Sequence, residues 1–231
     1  LLIKLSLRFS QNESKSRRIR DYWEFLNLNF NKFYDFYTMP FELILANINR
    51  HIDLNDSEKD IFLSCLESRK IKKKHFWIHE GHISSATAFV NSGCMRAYTI
   101  DNNGFEHILQ FAPRDWWIAD MYSFITQKPG YLNIDALEDS ELVILSKENL
   151  ERLYIEVPKF ERFFRIITEK SLVANRQRII ENLSLSASQR YAIFCNTYPT
   201  IINSIPQKQI AAYIGVTPEF LSKMRSEFLR R

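Results

Sequence analysis

Residues 205–231 read IPQKQIAAYIGVTPEFLSKMRSEFLRR, from Ile205 to Arg231. Ile210, Ala211 and Ile214 recur at helical spacing, so Gln207–Ile214 reads as one helix with an apolar face. Gly215 follows, suited to the left-handed position that ends a helix. Thr217 is a good N-cap, and Pro218 is favoured as the first residue of the next helix. In that second helix Leu221, Met224 and Phe228 form a core-facing stripe, and small Ala211 lets the two helices approach closely. The result is a helix-turn-helix, whose second helix is shaped to enter a DNA major groove.

The outer face of the second helix then carries Glu219, Ser222, Lys223 and Ser226. Lys donates to guanine, Glu accepts from cytosine and Ser does either. Thr217 and the adjoining amide end are placed for a phosphate. Gln207 and Lys208, at the start of the first helix, also suit backbone contact. Arg225, Arg230 and Arg231 add salt-dependent affinity blind to sequence. The competing reading is an ordinary helical hairpin with a solvated polar face.

Charge is distributed to match. The chain has 231 residues, a net charge of +4 and a pI near 8.9. Residues 207–231 hold five basic residues against two acidic, and residues 1–38 hold seven against four, so the long middle is slightly acidic. With 45% hydrophobic residues there is material for substantial cores. Three scattered cysteines, Cys65, Cys94 and Cys195, argue against a disulfide framework or a CxxC zinc site and fit a reducing cytoplasm. No apolar run approaches a membrane span. Residues 1–38 begin with Leu and precede Met39; they are expected to be an extension outside the ordinary domain.

From Met39 to about Leu66 the pattern is helical, with Asn55, Asp56 or Ser57 as cap and Glu58 in the first turn. From Lys70 to Leu145 the texture changes to short segments rich in aromatic and β-branched residues. These are HFWIHEG, ATAFVNSG, CMRAYTID, FEHILQFAP, DWWIA, YLNIDALE and ELVILS, and they predict an antiparallel sandwich or barrel. Asn103-Gly104 is expected to supply a two-residue hairpin turn. From Pro158 a long helix runs about 25 residues. Phe160, Phe164, Ile167 and Ala174 fall along one seam of it, read either as cover for the β domain or as a dimer helix. SASQRYAIFCNTYP predicts a further helix with Tyr191, Phe194 and Cys195 on one face.

This order resembles the Crp/Fnr family of bacterial transcription regulators, from about Met39 to Arg231. The stretches that carry the resemblance are FVNSGCMRAYTIDNNGFEHILQFAPRDWW, IDALEDSELVILS and IPQKQIAAYIGVTPEFLSKMR. The RY, YP and GVTPEFLS runs look most like the variants of Bacteroidetes-type bacteria. The resemblance implies an α+β chain: a cyclic-nucleotide-binding-like jelly roll over 39–157, a dimerisation helix over 158–182 and a small winged-helix-like helix-turn-helix domain over 183–231. It implies a homodimer reading a two-fold symmetric operator on double-stranded DNA, with RNA polymerase and an unidentified small-molecule effector as further partners. In the family's Ser-Arg-Glu-Thr-Val-Gly-Arg pattern the Glu falls on Glu219 and the last Arg on Lys223, while Pro218 replaces the first Arg, so base preference should differ. The wing looks short, since only TIINSIP separates the flanking helices.

The effector region departs further. Asp120 stands near the position of the Glu that holds a ribose, and Asp120, Met121 and Asn133 are the candidate pocket residues. No Arg precedes IDAL, and a cyclic phosphate buried without a cation is costly, so cyclic AMP is not expected to bind by the usual mode. Three cysteines cannot supply the four thiolates of an iron–sulfur cluster, and no cofactor is expected. His75, His79, His82 and His107 raise the alternative of a cupin-like metal-binding enzyme or small-molecule-binding protein, but they read as strand histidines. Trp116 and Trp117 read as core.

Overall fold

The computed structural model describes residues 41–228, with side chains to residue 226; the expected extension over 1–38, and Arg230 and Arg231, lie outside the described residues. Two short helices open it, α1 (Glu42–Asn49) and α2 (Asp56–Ser64). Of the three possible caps of α2, Asn55 is the one used: its side chain accepts from the Glu58 amide while Glu58 accepts from the Asn55 amide. That reciprocal box satisfies two of the helix's orphan donors.

Eight strands follow: β1 (Leu66–Ile71), β2 (Phe76–Ile78), β3 (Ala86–Ser92), β4 (Cys94–Ile100), β5 (Glu106–Pro113), β6 (Trp117–Ile118), β7 (Asn133–Ala136) and β8 (Ser140–Ser146). They form two four-stranded antiparallel sheets, ordered β1-β8-β3-β6 and β2-β7-β4-β5. A short helix, α3 (Met121–Thr126), lies between β6 and β7, and α4 (Lys147–Glu156) follows β8. Strand period two sorts the side chains into three cores. Ala88, Val90 and Ile144 of the first sheet face Met95, Ala97 and Ile134 of the second between the sheets. The outer face of the first sheet, with Phe89, Val143 and Leu145, packs on α1, α2 and α4. The outer face of the second, with Cys94, Tyr98, Ile108 and Phe111, packs on the carboxyl-terminal helices.

Three expectations are corrected here. β1 begins at Leu66, before the expected Lys70, because pairing with β8 from Leu66↔Leu145 to Ile71↔Ser140 overrides the charged sequence LESRKI. The β4–β5 connection is a five-residue loop rather than a two-residue turn. Gly104 alone takes positive φ, and the Asp101 carboxylate accepts from the Asn103 and Phe105 amides. Among the described residues there is no strand beyond Ser146, so none of them forms a β-wing beside the helix-turn-helix.

The long helix α5 (Lys159–Ser184) is present, but its first turns belong to the chain's own core. Phe160 is fully buried, stacked on Phe62 with ring centroids 4.8 Å apart. Phe164 is half-buried against Trp117, and Ile167 packs on the same cluster. Of the four residues read as a dimer seam, only Ala174 lies on a free face. The exposed apolar stripe runs one register over, with Val173 and Ile180 seven residues apart, half-buried Ile166 seven residues before them, and Leu172, Ile179 and Leu183 alongside.

Candidate nucleic-acid interface

Three helices complete the chain: α6 (Ala187–Thr197), α7 (Gln207–Ile214) and α8 (Pro218–Phe228). Ser186 caps α6 in a reciprocal box with Gln189. Gly215 ends α7 in the left-handed conformation, φ 72° and ψ 45°, a backbone state that any β-carbon would disfavour. Val216 returns a hydrogen bond to the Ala211 carbonyl at 3.0 Å, which closes the helix end. Thr217 then caps α8: its Oγ1 accepts from the Phe220 amide at 3.2 Å, and its carbonyl accepts from Leu221 at 3.0 Å.

Ile210, Ala211, Ile214, Leu221 and Met224 are all buried, and Ala211 at the crossing has no exposed surface. These side chains fix α7 against α8. The opposite side of α8 is free: Pro218, Glu219, Ser222, Lys223 and Ser226 line one shallow, open depression. Gln207, Lys208 and Thr217 are exposed beside it. Seven of the eight residues read as DNA-contacting are therefore exposed, and four of them, Pro218, Glu219, Ser222 and Lys223, line that depression. Arg225 does not: it is half-buried on the inner side, its guanidinium 5.8 Å from the Tyr191 ring centre. Arg225 lies four residues beyond buried Leu221 and next to buried Met224, so it stands at the border of the packed stripe, beside α6.

The effector residues are not brought together. Asp120 is 1% exposed and acts as the cap of α3, accepting from Ser123 N at 3.1 Å and from Leu132 N at 3.3 Å. Met121 points outward, 44% exposed. Asn133 lies on the outer face of the second sheet, where it exchanges hydrogen bonds with Glu80. A β-carbon at Gly130 would come within 2.1 Å of Asp120 Oδ2, so that carboxylate fills the space a side chain at 130 would need.

Of the histidines, His79 and His82 meet edge-on with ring centroids 5.8 Å apart. His79 stacks on Phe76 at 4.0 Å, and His107 pairs with Asp101 at 2.9 Å. Among the described residues no three His, Cys, Asp or Glu side chains are placed to hold a metal ion. Trp117 packs on Phe89 and Trp116 on Tyr198.

Residues 68–156 match the family model of the cyclic nucleotide-binding domain. The fold extends the match through the helices that follow. A c-di-GMP-responsive global regulator of Xanthomonas campestris superposes with a TM-score of 0.63 at 14% identity, over 76% of this chain and 92% of that one. A protein from Eubacterium rectale, described as a transcriptional regulator of the Crp/Fnr family, superposes with a TM-score of 0.60 at 21% identity, over 77% and 84%. In fold, the chain is similar to these two regulators. In sequence, a transcriptional regulatory protein of Bordetella pertussis is 24% identical over 106 residues, 41% of this chain; the chain spans 44% of that relative's length. Among its described residues no helix is long and apolar enough to cross a membrane.

Proposed function

We propose that this protein is a DNA-binding transcription regulator, acting as a homodimer on a two-fold symmetric operator. The observation that carries the proposal is the free polar face of α8: Glu219, Ser222 and Lys223 are exposed on a helix whose other side is locked by Leu221 and Met224. A major-groove reader needs this division, because base edges are recognised by donors and acceptors held on a rigid support. Lys208 and the capped start of α8 supply phosphate contacts.

The dimer follows from α5. Val173 is 68% exposed and Leu183 82%, with Ile166, Leu172, Ile179 and Ile180 beside them. An apolar stripe at a seven-residue repeat is the pattern by which two parallel helices bury one another. A second copy of α5 is the occupant whose pattern matches.

Cyclic AMP does not fit the barrel in the usual mode. The start of α3 is already satisfied by the buried Asp120 carboxylate. No arginine precedes Ile134 in the segment expected to meet a cyclic phosphate, which would be left unpaired. The effector is therefore another molecule, or the barrel acts without one.

The test is selection of bound sequences from a random DNA pool, followed by titration at several salt concentrations. Enrichment of an inverted repeat, with affinity falling steeply as salt rises, supports the proposal. Recovery of no enriched sequence, with binding absent even at low salt, overturns it.

A further inference from the structure

The reading helices do not hang free of the barrel. Phe111 of β5 stacks on Tyr213 of α7, with centroids 5.6 Å apart, and meets Phe194 and Tyr198 edge-on. Ring surfaces of this kind give adhesion but little direction. Direction comes from Arg178 of α5. Its Nη2 donates to the Ile108 carbonyl at 2.6 Å and to the Tyr213 carbonyl at 2.9 Å. Its Nη1 donates to the Leu109 carbonyl, and its guanidinium lies 3.9 Å from the Tyr213 ring centre. One side chain thus joins the long helix, the outer strand of the second sheet and the first helix of the helix-turn-helix.

Each acceptor is available for a structural reason. The β4–β5 register passes from Ala97↔Gln110 to Tyr98↔Ile108, leaving Leu109 as an extra, bulged residue. β5 is also the outer strand of its sheet. Bulges and edges leave backbone groups outside the ladder. Tyr213 lies in the last turn of α7, where carbonyls have no helical partner and a cation is favoured. The neighbouring carbonyl, Ile214, accepts from Arg190 Nε at 2.9 Å, and Arg190 Nη1 reaches Leu185 just after α5. Two arginines therefore hold the end of α7, one against the barrel and one against the hinge.

We propose that Arg178 is a positioning residue for DNA binding: its fork on the bulged edge of β5 and the end of α7 sets the angle between α8 and the dimer helix. This inference rests on the DNA-binding reading above. Arg178 immediately precedes Ile179 and Ile180 of the exposed stripe, so the clamp is fixed close to the two-fold axis. The angle it sets governs the separation of the two α8 helices in a dimer. Half-sites in such operators lie about one turn of DNA apart, roughly 34 Å. α8 keeps its own brace through Leu221, Met224 and Ala211, so a protomer without the fork still reads a half-site. What it loses is the preferred spacing between half-sites. The barrel, touching the fork through β5, gains a route to that spacing independent of Asp120 and α3.

The experiment uses the full chain and two variants, Arg178→Gln and Arg178→Lys. Lysine keeps the stem and the charge but cannot fork to two carbonyl-bearing elements. Binding is measured to a single half-site and to inverted repeats whose spacer is varied one base pair at a time. Wild type is expected to favour one spacing by about tenfold or more, as expected for a coupling of ordinary size. Both variants should bind the half-site within about twofold of wild type and flatten the spacing profile to about threefold or less, the loss expected when a coupling of that size is removed. A variant that keeps the wild-type profile overturns the inference and leaves the DNA-binding reading standing. A half-site loss as large as the full-site loss overturns it too, since Arg178 would then merely stabilise the reader. Wild type that binds no DNA overturns the functional reading first.

Discussion

Arg96 and Asp135 face one another across adjacent strands as a two-pronged pair, Nε to Oδ1 at 2.7 Å and Nη2 to Oδ2 at 2.9 Å, with both side chains under 10% exposed. Glu106 takes the remaining edge of the guanidinium at 2.6 Å, and the Tyr98 hydroxyl donates to Asp135. Burial alone would lower the Arg96 pKa; the hydrogen bonds it donates to Asp135 and Glu106 outweigh burial and raise it. Removing one partner strands the other away from water. Asp135→Ala is therefore expected to cost about 3 kcal/mol, the scale for breaking a buried pair. Arg96→Met combined with Asp135→Leu should cost much less. Urea denaturation of the two variants checks the order.

The same face predicts a loss of stability in alkali. Burial pushes the Cys94 thiol from its ordinary 9.0 up to about 12. Burial, and next the Asp135 charge, push Tyr98 from 10.0 up to about 12. Between pH 9 and pH 12 the folded chain retains protons that the unfolded chain has released. Both contributions are thus fully present below pH 9 and lost as pH rises through the folded values. Denaturation midpoints should be flat with respect to these groups to pH 9 and fall above it.

Thiol burial also orders alkylation. Cys65 and Cys94 are buried and Cys195 is half-buried. In the native chain iodoacetamide should label Cys195 first, and denaturant should release the other two together. Peptide mapping after timed quenching reads the order.

On α8, Lys223→Ala should weaken operator binding by about 1–3 kcal/mol and relax preference at one base pair, the signature of a base contact. Lys208→Ala should weaken all sequences alike and reduce the salt slope by about 1, the signature of a phosphate contact. Filter binding to the selected site and to one-base variants of it separates the two.

Two substitutions on α5 should separate stability from assembly. Phe160→Ala removes a buried ring and should cost about 3–5 kcal/mol of folding stability. Ile180→Asp places a charge in the exposed stripe and should yield monomers whose melting temperature no longer depends on protein concentration. Sedimentation and thermal unfolding together test the contrast.

The helix-turn-helix was legible because its punctuation is local. Gly215, Thr217 and Pro218 each demand a particular backbone state, and the apolar spacing around them admits few alternatives. The eight-strand region was legible as texture, but β1 was not, because LESRKI is an exposed edge held in place by β8. The helix α4 was missed although Ser146, Leu150 and Leu153 carry its cap and buried face. The dimer seam misled for a physical reason. Phe160, Phe164 and Ile167 have good spacing, but α1, α2 and the first sheet consume that face before a partner could. Asp120 was read as a pocket residue, whereas its side chain caps α3 through Ser123 and also holds Leu132; that second bond spans twelve residues and needed coordinates.

The seating of α7 on β5 has a practical result for anyone dividing the chain. A fragment ending at Ser184 would lay bare Tyr98, Ile108 and Phe111 together with an uncapped strand edge. Wet aromatic rings beside open backbone invite self-adhesion. The β domain should precipitate when expressed alone and stay in solution when α6 and α7 remain attached, so solubility is a property of the joined chain and not of the barrel.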